Sequence, residues 1–294
     1  MYKGEDMRVA VVGLGGVGGY IAANFVRAGI DVVGFARGAH LEAIQTHGLE
    51  IVEDALCWSA KVDAREEGKL DGYFEGAFDV VLFCVKSYDL DDAYVKIRSH
   101  IDENTILLSL SNGVDNGERL RKMSKSRVLD GCVYVLSHIE APGVVRKKGK
   151  VFAAVFGGES QATQLLTDLF EKAQLRYKTP EDIQTALWKK YLFISGFATL
   201  TSYYDKPISW VYKHHFDEAK TLLEEIAAFA AQRGINIADE VPKALDTAKN
   251  LPKDASTSMH RDFMLSKRVE LDSLSAYVRM PLMQKFYTAL KERV

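Results

Sequence analysis

The chain has 294 residues, 47% of them hydrophobic and 27% charged, a balance that suits a globular protein with room for two domains. A net charge of −2 argues against nucleic acid or an anionic membrane as partner. The three cysteines, Cys57, Cys84 and Cys132, lie far apart with no CxxC pair, so they read as buried thiols in a reducing compartment.

Residues 1–6 read as a loose extension. A β-branched run from Val9 then leads into Gly13-Leu14-Gly15-Gly16-Val17-Gly18, and a small-residue helix pattern follows at once. In such a strand–turn–helix, Gly13 permits the tight turn and Gly15 lets the backbone approach a pyrophosphate. Gly18 lets the helix pack closely on the sheet. The N–H groups opening the helix, around Leu14, Gly16 and Val17, face the anion. Residues 9–26 carry no charge, yet the glycines break any spanning helix, so the stretch is a dinucleotide turn and not a membrane or signal segment. With no targeting segment, the expected location is the cytoplasm.

A second strand, Ile30–Ala36, ends in Arg37, with no acid before Glu42. An NAD site usually carries an acid here for the ribose hydroxyls, whereas a guanidinium suits a 2′-phosphate bidentately. The expected cofactor is therefore NADPH.

Strand and helix patterns go on alternating through the first half, as a doubly wound parallel sheet of Rossmann type requires. Ala39–Thr46 predicts a short helix and residues 49–62 a strand-rich insertion. Phe78–Val85 is a short apolar run suited to a strand buried on both faces, and it ends in Lys86 at the ligand-binding edge of such a sheet. Asp89, Asp91 and Asp92 suit a helix N-terminus. Thr105–Leu110 repeats the strand pattern and ends in Ser111-Asn112-Gly113. Strands are expected at 128–138, 143–147 and 150–156, with Lys147 and Lys148 at a charged hairpin tip. A helix near 160–173 and a strand near 175–178 complete the domain.

From Thr179 the apolar spacing turns helical almost to the end, which predicts an NADP-binding domain over 1–179 and an all-helical substrate domain over 180–294. An apolar helical domain is compatible with a homodimer. His214 and His215 fall on different helix faces, and no spacing supports a metal. Lys190 interrupts the apolar run Leu187 to Ile194, where desolvation could lower its pKa and let it donate a proton to a carbonyl oxygen receiving hydride. Glu270 lies in a charged run that would ordinarily be a solvated face, and Ser258 most simply caps a helix. The two are twelve residues apart, roughly 120° off a common helix face, so a helix break is expected between them.

These residues together resemble the ketopantoate reductase family. The resemblance rests on the glycine fingerprint, Ala36-Arg37-Gly38-Ala39-His40, Lys86 after its strand, Ser111-Asn112-Gly113, Pro142-Gly143-Val144-Val145-Arg146, Leu187-Trp188-Lys189-Lys190, and Ser258-Met259 with Asp262 and Glu270 following. It implies NADPH-dependent reduction of a branched 2-oxo acid on the route to pantothenate. It further implies Lys190 as proton donor, Glu270 positioning cofactor or substrate, Asn112 contacting nicotinamide ribose and substrate, Lys86 holding cofactor and Ser258 binding substrate. Where the family typically carries asparagines, four and eight residues after the lysine, this chain has Ile194 and Ala198. Their loss should cost substrate contacts worth roughly 0.5–1.5 kcal/mol each unless Ser195, Thr199 or Thr201 replaces them. The alternatives are a reductase for a more apolar 2-oxo acid and a non-catalytic NADP(H) sensor; retention of Lys190 and Glu270 argues against the sensor.

Overall fold

The computed structural model describes residues 7–70 and 75–294, so the expected extension over 1–6 lies outside the described residues. Two compact units are present. One takes the described residues up to Ser111 together with Asp115–Ile183; the other takes Asn112–Val114 with Gln184–Val294.

The first unit opens with strand β1 (Arg8–Val12), helix α1 (Gly16–Arg27), β2 (Asp31–Phe35) and α2 (Gly38–His47). The expected insertion forms β3 (Leu49–Glu53), β4 (Leu56–Ala60) and a short β5 (Asp63–Arg65). Then come β6 (Val80–Phe83), α3 (Leu90–Ile97), β7 (Ile106–Ser109) and α4 (Asn116–Met123), followed by a long hairpin of β8 (Arg127–Ala141) and β9 (Val144–Gly157). Helix α5 (Ser160–Lys172) and β10 (Tyr177–Lys178) close the unit. The sheet runs β4-β3-β9-β8-β7-β6-β1-β2-β5, with β10 beside β9.

Five strands, β7-β6-β1-β2-β5, are joined by parallel pairing, as the alternation predicts. Successive residues of β1 serve opposite cores: Val9 and Val11 belong to one apolar cluster, Ala10 and Val12 to another. That burial on both faces is why these strands read as continuous apolar runs. The sheet is nevertheless mixed, because β8 pairs β9, and β3 pairs β4, antiparallel. The strands expected separately at 143–147 and 150–156 are one strand, β9.

Lys147 is not at a hairpin tip. The tip is at Pro142-Gly143, and Lys147 is 3% exposed in β9, paired directly with Glu53 of β3. Its Nζ donates to Glu53 Oε1 at 2.5 Å and to the Gly149 oxygen at 2.7 Å, partners that make a buried ammonium tolerable. Cys57 also departs from expectation: it is exposed on β4, while Cys132 is buried and Cys84 half-buried.

The second unit is helical: α6 (Ile183–Tyr204), α7 (Ile208–His214), α8 (Phe216–Ala231), α9 (Glu240–Asn250), α10 (Ser258–Met264) and α11 (Pro281–Lys291). Helix α6 begins at Ile183, four residues after the helical spacing begins at Thr179. The α8 stripe Ala219, Leu222, Leu223, Ile226, Ala227 and Ala230 is buried in a single core with Leu192, Phe197 and Phe286. Between α10 and α11 the chain takes one π-helical turn, Asp272–Ala276. Among the described residues no helix is long and apolar enough to cross a membrane, and no cluster of His, Cys, Asp and Glu could hold a metal ion.

Candidate active site

In the first unit the candidate residues gather at the C-terminal ends of β1, β2 and β6, where the chain reverses strand order around β1. Gly13 leaves β1 with φ +95°, and its N–H and that of Leu14 both donate to the Phe35 oxygen at 3.1 and 2.9 Å. Only glycine suits this turn, since a Cβ on Gly13 would also stand 2.9 Å from Val85 Cγ1. A Cβ on Gly18 would lie 2.1 Å from the Gly13 oxygen, and one on Gly16 would lie 2.6 Å from the Ser137 carbonyl carbon. Gly15 differs: among the described residues nothing lies within 4 Å of its Cβ position. The backbone is thus tightly packed beneath the turn and open above Gly15, the N-cap of α1, which has no side-chain cap. That open, uncapped helix start fits a pyrophosphate.

His40, quoted above only as part of a motif, braces this turn. Its Nε2 bonds the Leu14 oxygen at 2.8 Å, and the Gly143 N–H donates to its Nδ1 at 3.0 Å. A carbonyl only accepts and an amide N–H only donates, so these bonds call for the neutral ring protonated on Nε2. The ring ties the turn to the tip of the β8–β9 hairpin. Val17 lies half-buried in the first turn of α1.

Arg37 is the N-cap residue of α2, just past β2, with its side chain 81% exposed. Its guanidinium lies 3.5 Å from Asp89 Oδ2, a loose contact that leaves its planar fork accessible to an anion. Lys86 sits half-buried just beyond β6. Ser111 Oγ donates to the Val85 oxygen at 2.7 Å, holding the two strand ends together.

In the second unit, Asn112 and Lys190 meet: Lys190 Nζ donates to Asn112 Oδ1 at 3.3 Å. Lys190 is half-buried on α6, beside the buried Trp188, Tyr191 and Leu192. Glu270 is 3% exposed, so it does not lie on a solvated face. The expected helix break falls between α10 and Glu270, which leads directly into the π turn. Leu274 N–H and Ser273 Oγ donate to the Glu270 main-chain oxygen at 3.0 and 3.1 Å. Ser258 is half-buried and is the first residue of α10; the cap is Thr257, whose Oγ1 accepts from His260 N–H at 3.2 Å.

Ala198 is 2% exposed within the helical core, and Ile194 packs half-buried against it. The hydroxyls of Ser195, Thr199 and Thr201, the candidates to replace the absent amides, are engaged elsewhere. Ser195 Oγ donates to the Leu274 oxygen at 2.5 Å, Thr199 Oγ1 lies 2.7 Å from Ser275 Oγ, and Thr201 Oγ1 bonds the Phe197 oxygen and Thr257 Oγ1.

Comparison with known proteins gives a consistent result. A family model described as ketopantoate reductase PanE/ApbA matches residues 9–158, and its C-terminal counterpart matches 182–280. A 2-dehydropantoate 2-reductase from Mesorhizobium japonicum is 27% identical over 300 residues, covering 93% of this chain and 90% of that protein. The crystal structure of 2-dehydropantoate 2-reductase from Porphyromonas gingivalis is 32% identical with a TM-score of 0.80, covering 97% of this chain and 99% of that one. A D-mandelate dehydrogenase solved with NADH and anilino(oxo)acetate shares the fold at 18% identity, with a TM-score of 0.87 over 98% of both chains. The chain belongs to the ketopantoate reductase family and is an oxidoreductase acting on a CH–OH group.

Proposed function

We propose that this protein catalyses the NADPH-dependent reduction of 2-dehydropantoate to pantoate, a step toward pantothenate, with the proton supplied by Lys190. The observation that carries the reading is the Lys190–Asn112 pair: an ammonium that interrupts the apolar run of α6 and donates to the amide that follows Ser111. The named relatives that share nearly the whole chain support the same substrate.

When bound, the nicotinamide supplies hydride to the carbonyl carbon. Negative charge then grows on the carbonyl oxygen, and the Lys190 ammonium stabilises that charge more than it stabilises the ketone. It completes the step by giving up a proton to the oxygen. Asn112 orients Lys190 and, as an amide that both donates and accepts, can bridge ribose and substrate. The buried Glu270 carboxylate holds the cofactor or substrate in register, and the Ser258 hydroxyl binds substrate. Gly13, Leu14, Gly15, Gly16, Val17 and Gly18 cradle the pyrophosphate, Lys86 helps to hold the cofactor, and Arg37 takes the 2′-phosphate.

A second reading, reduction of a more apolar 2-oxo acid, is favoured by Ile194 and Ala198 and by the engagement of the neighbouring hydroxyls. Following NADPH consumption with 2-dehydropantoate and with apolar 2-oxo acids decides between them. The highest kcat/KM on 2-dehydropantoate is expected; no turnover of it, with NADPH still bound, rejects that substrate.

A further inference from the structure

Helix α6 carries a second polar stripe beside Lys190. Tyr191, Ser195 and Thr199 follow at steps of four, so they share one face, and each is at most 1% exposed. All three point their hydroxyls at the π turn. Tyr191 OH donates to the main-chain oxygens of Ser273 and Leu274 at 2.9 and 3.3 Å. Ser195 Oγ donates to the Leu274 oxygen at 2.5 Å, and Thr199 Oγ1 pairs with Ser275 Oγ at 2.7 Å. The turn they grip starts from Glu270, whose own oxygen accepts from Leu274 N–H and Ser273 Oγ.

A single π turn is a rare form whose carbonyls need partners when buried. Relaxing it to ordinary helical bonding shifts the hydrogen-bond step by one residue and rotates the side chains that flank it. Tyr191 and Ser195 hydroxyls donating to individual carbonyls, and Thr199 holding the Ser275 side chain, resist that slip, which apolar packing of the same volume would permit. The stripe also begins one residue after Lys190 on the same rigid helix.

We infer that Tyr191, Ser195 and Thr199 are positioning residues for the reduction, locking the π turn so that the Glu270 carboxylate keeps a constant setting relative to the Lys190 ammonium. This rests on the roles proposed above for Lys190 and Glu270.

The test compares Tyr191→Phe/Ser195→Ala, Thr199→Val and Thr199→Ser in the full-length protein. NADPH affinity is followed by fluorescence, and kcat and KM are measured across pH. The double variant and Thr199→Val are expected to lose about tenfold or more in kcat, since small misplacements of catalytic groups cost that much. A limb of the kcat–pH profile should move as well, which a merely structural role would not cause. Thr199→Ser, which keeps the hydroxyl, should recover most of what Thr199→Val loses. A folded double variant with unchanged kcat and pH profile overturns the inference, as does a Thr199→Ser variant as impaired as Thr199→Val. Should the double variant not fold, Tyr191→Phe alone decides by the same profile. Undiminished turnover by Lys190→Ala would instead defeat the proton-donor role, a separate failure.

Discussion

Lys190 Nζ and Asn112 Oδ1 lie 3.3 Å apart although 78 positions separate them in the chain. Asn112–Val114 belongs to the same compact unit as α6, while the strand that precedes Asn112 belongs to the other. Asn112→Ala should lower kcat by about tenfold, the loss of one hydrogen bond to a charged group, with dinucleotide affinity falling less. Steady-state kinetics beside a binding titration checks the split.

Arg37→Ala should weaken NADPH binding by about tenfold to a hundredfold, the loss of a charge-assisted pair, and leave NADH within about twofold. Equal losses for the two dinucleotides would contradict the 2′-phosphate assignment. Both affinities should be measured at one ionic strength, because the guanidinium is exposed and its attraction is screened by salt.

Ile194→Asn restores an amide on the Lys190 face of α6. With Ile194 replaced by an amide, kcat/KM for 2-dehydropantoate should rise by about twofold to tenfold, with a fall for apolar 2-oxo acids. A parallel loss for both substrate types would show that Ile194 serves packing alone.

Much of this was legible in the chain because the signals are local. The glycine spacing, the alternation of apolar runs and the polar interruption at Lys190 each concern a few consecutive residues. What escaped depends on distant partners. Lys147 looks like a surface charge in Arg146-Lys147-Lys148, yet β9 pairs it with Glu53, 94 positions away. Ser258 and Thr257 are equally good caps on paper, and the chain direction at α10 selects Thr257. The π turn has no sequence period of its own, so Ser195 and Thr199 looked available for substrate when they are engaged with the Leu274 oxygen and Ser275.

Asp115 gives a pH-dependent prediction. Burial raises its carboxyl pKa above the ordinary value, and among the described residues its buried Oδ1 has no hydrogen-bond partner. The ionised form is thus disfavoured in the folded chain, so this group lowers stability above its folded pKa, and the penalty fades as pH falls through the carboxylate range. Asp115→Asn, still a good helix-capping type, should raise Tm by about 2 °C at neutral pH, with the gain vanishing in acid. A gain that persisted at low pH would contradict the electrostatic cause.

Thiol labelling of the folded protein should modify Cys57 alone. Burial holds Cys84 up to about 12, so it supplies almost no thiolate at neutral pH, and Cys132 is buried. The exposed Cys57 is itself raised by its hydrogen bond to Glu50 and should react more slowly than a free thiol. Mass spectrometry of the labelled peptides reads the outcome directly.

The most direct test of the central claim is single-turnover reduction of 2-dehydropantoate by NADPH, comparing the wild-type chain with Lys190→Ala. The account predicts a fall in the chemical step of about 10²–10⁴-fold with NADPH binding intact. A variant that reduces the substrate at the wild-type rate would show that the proton comes from another group.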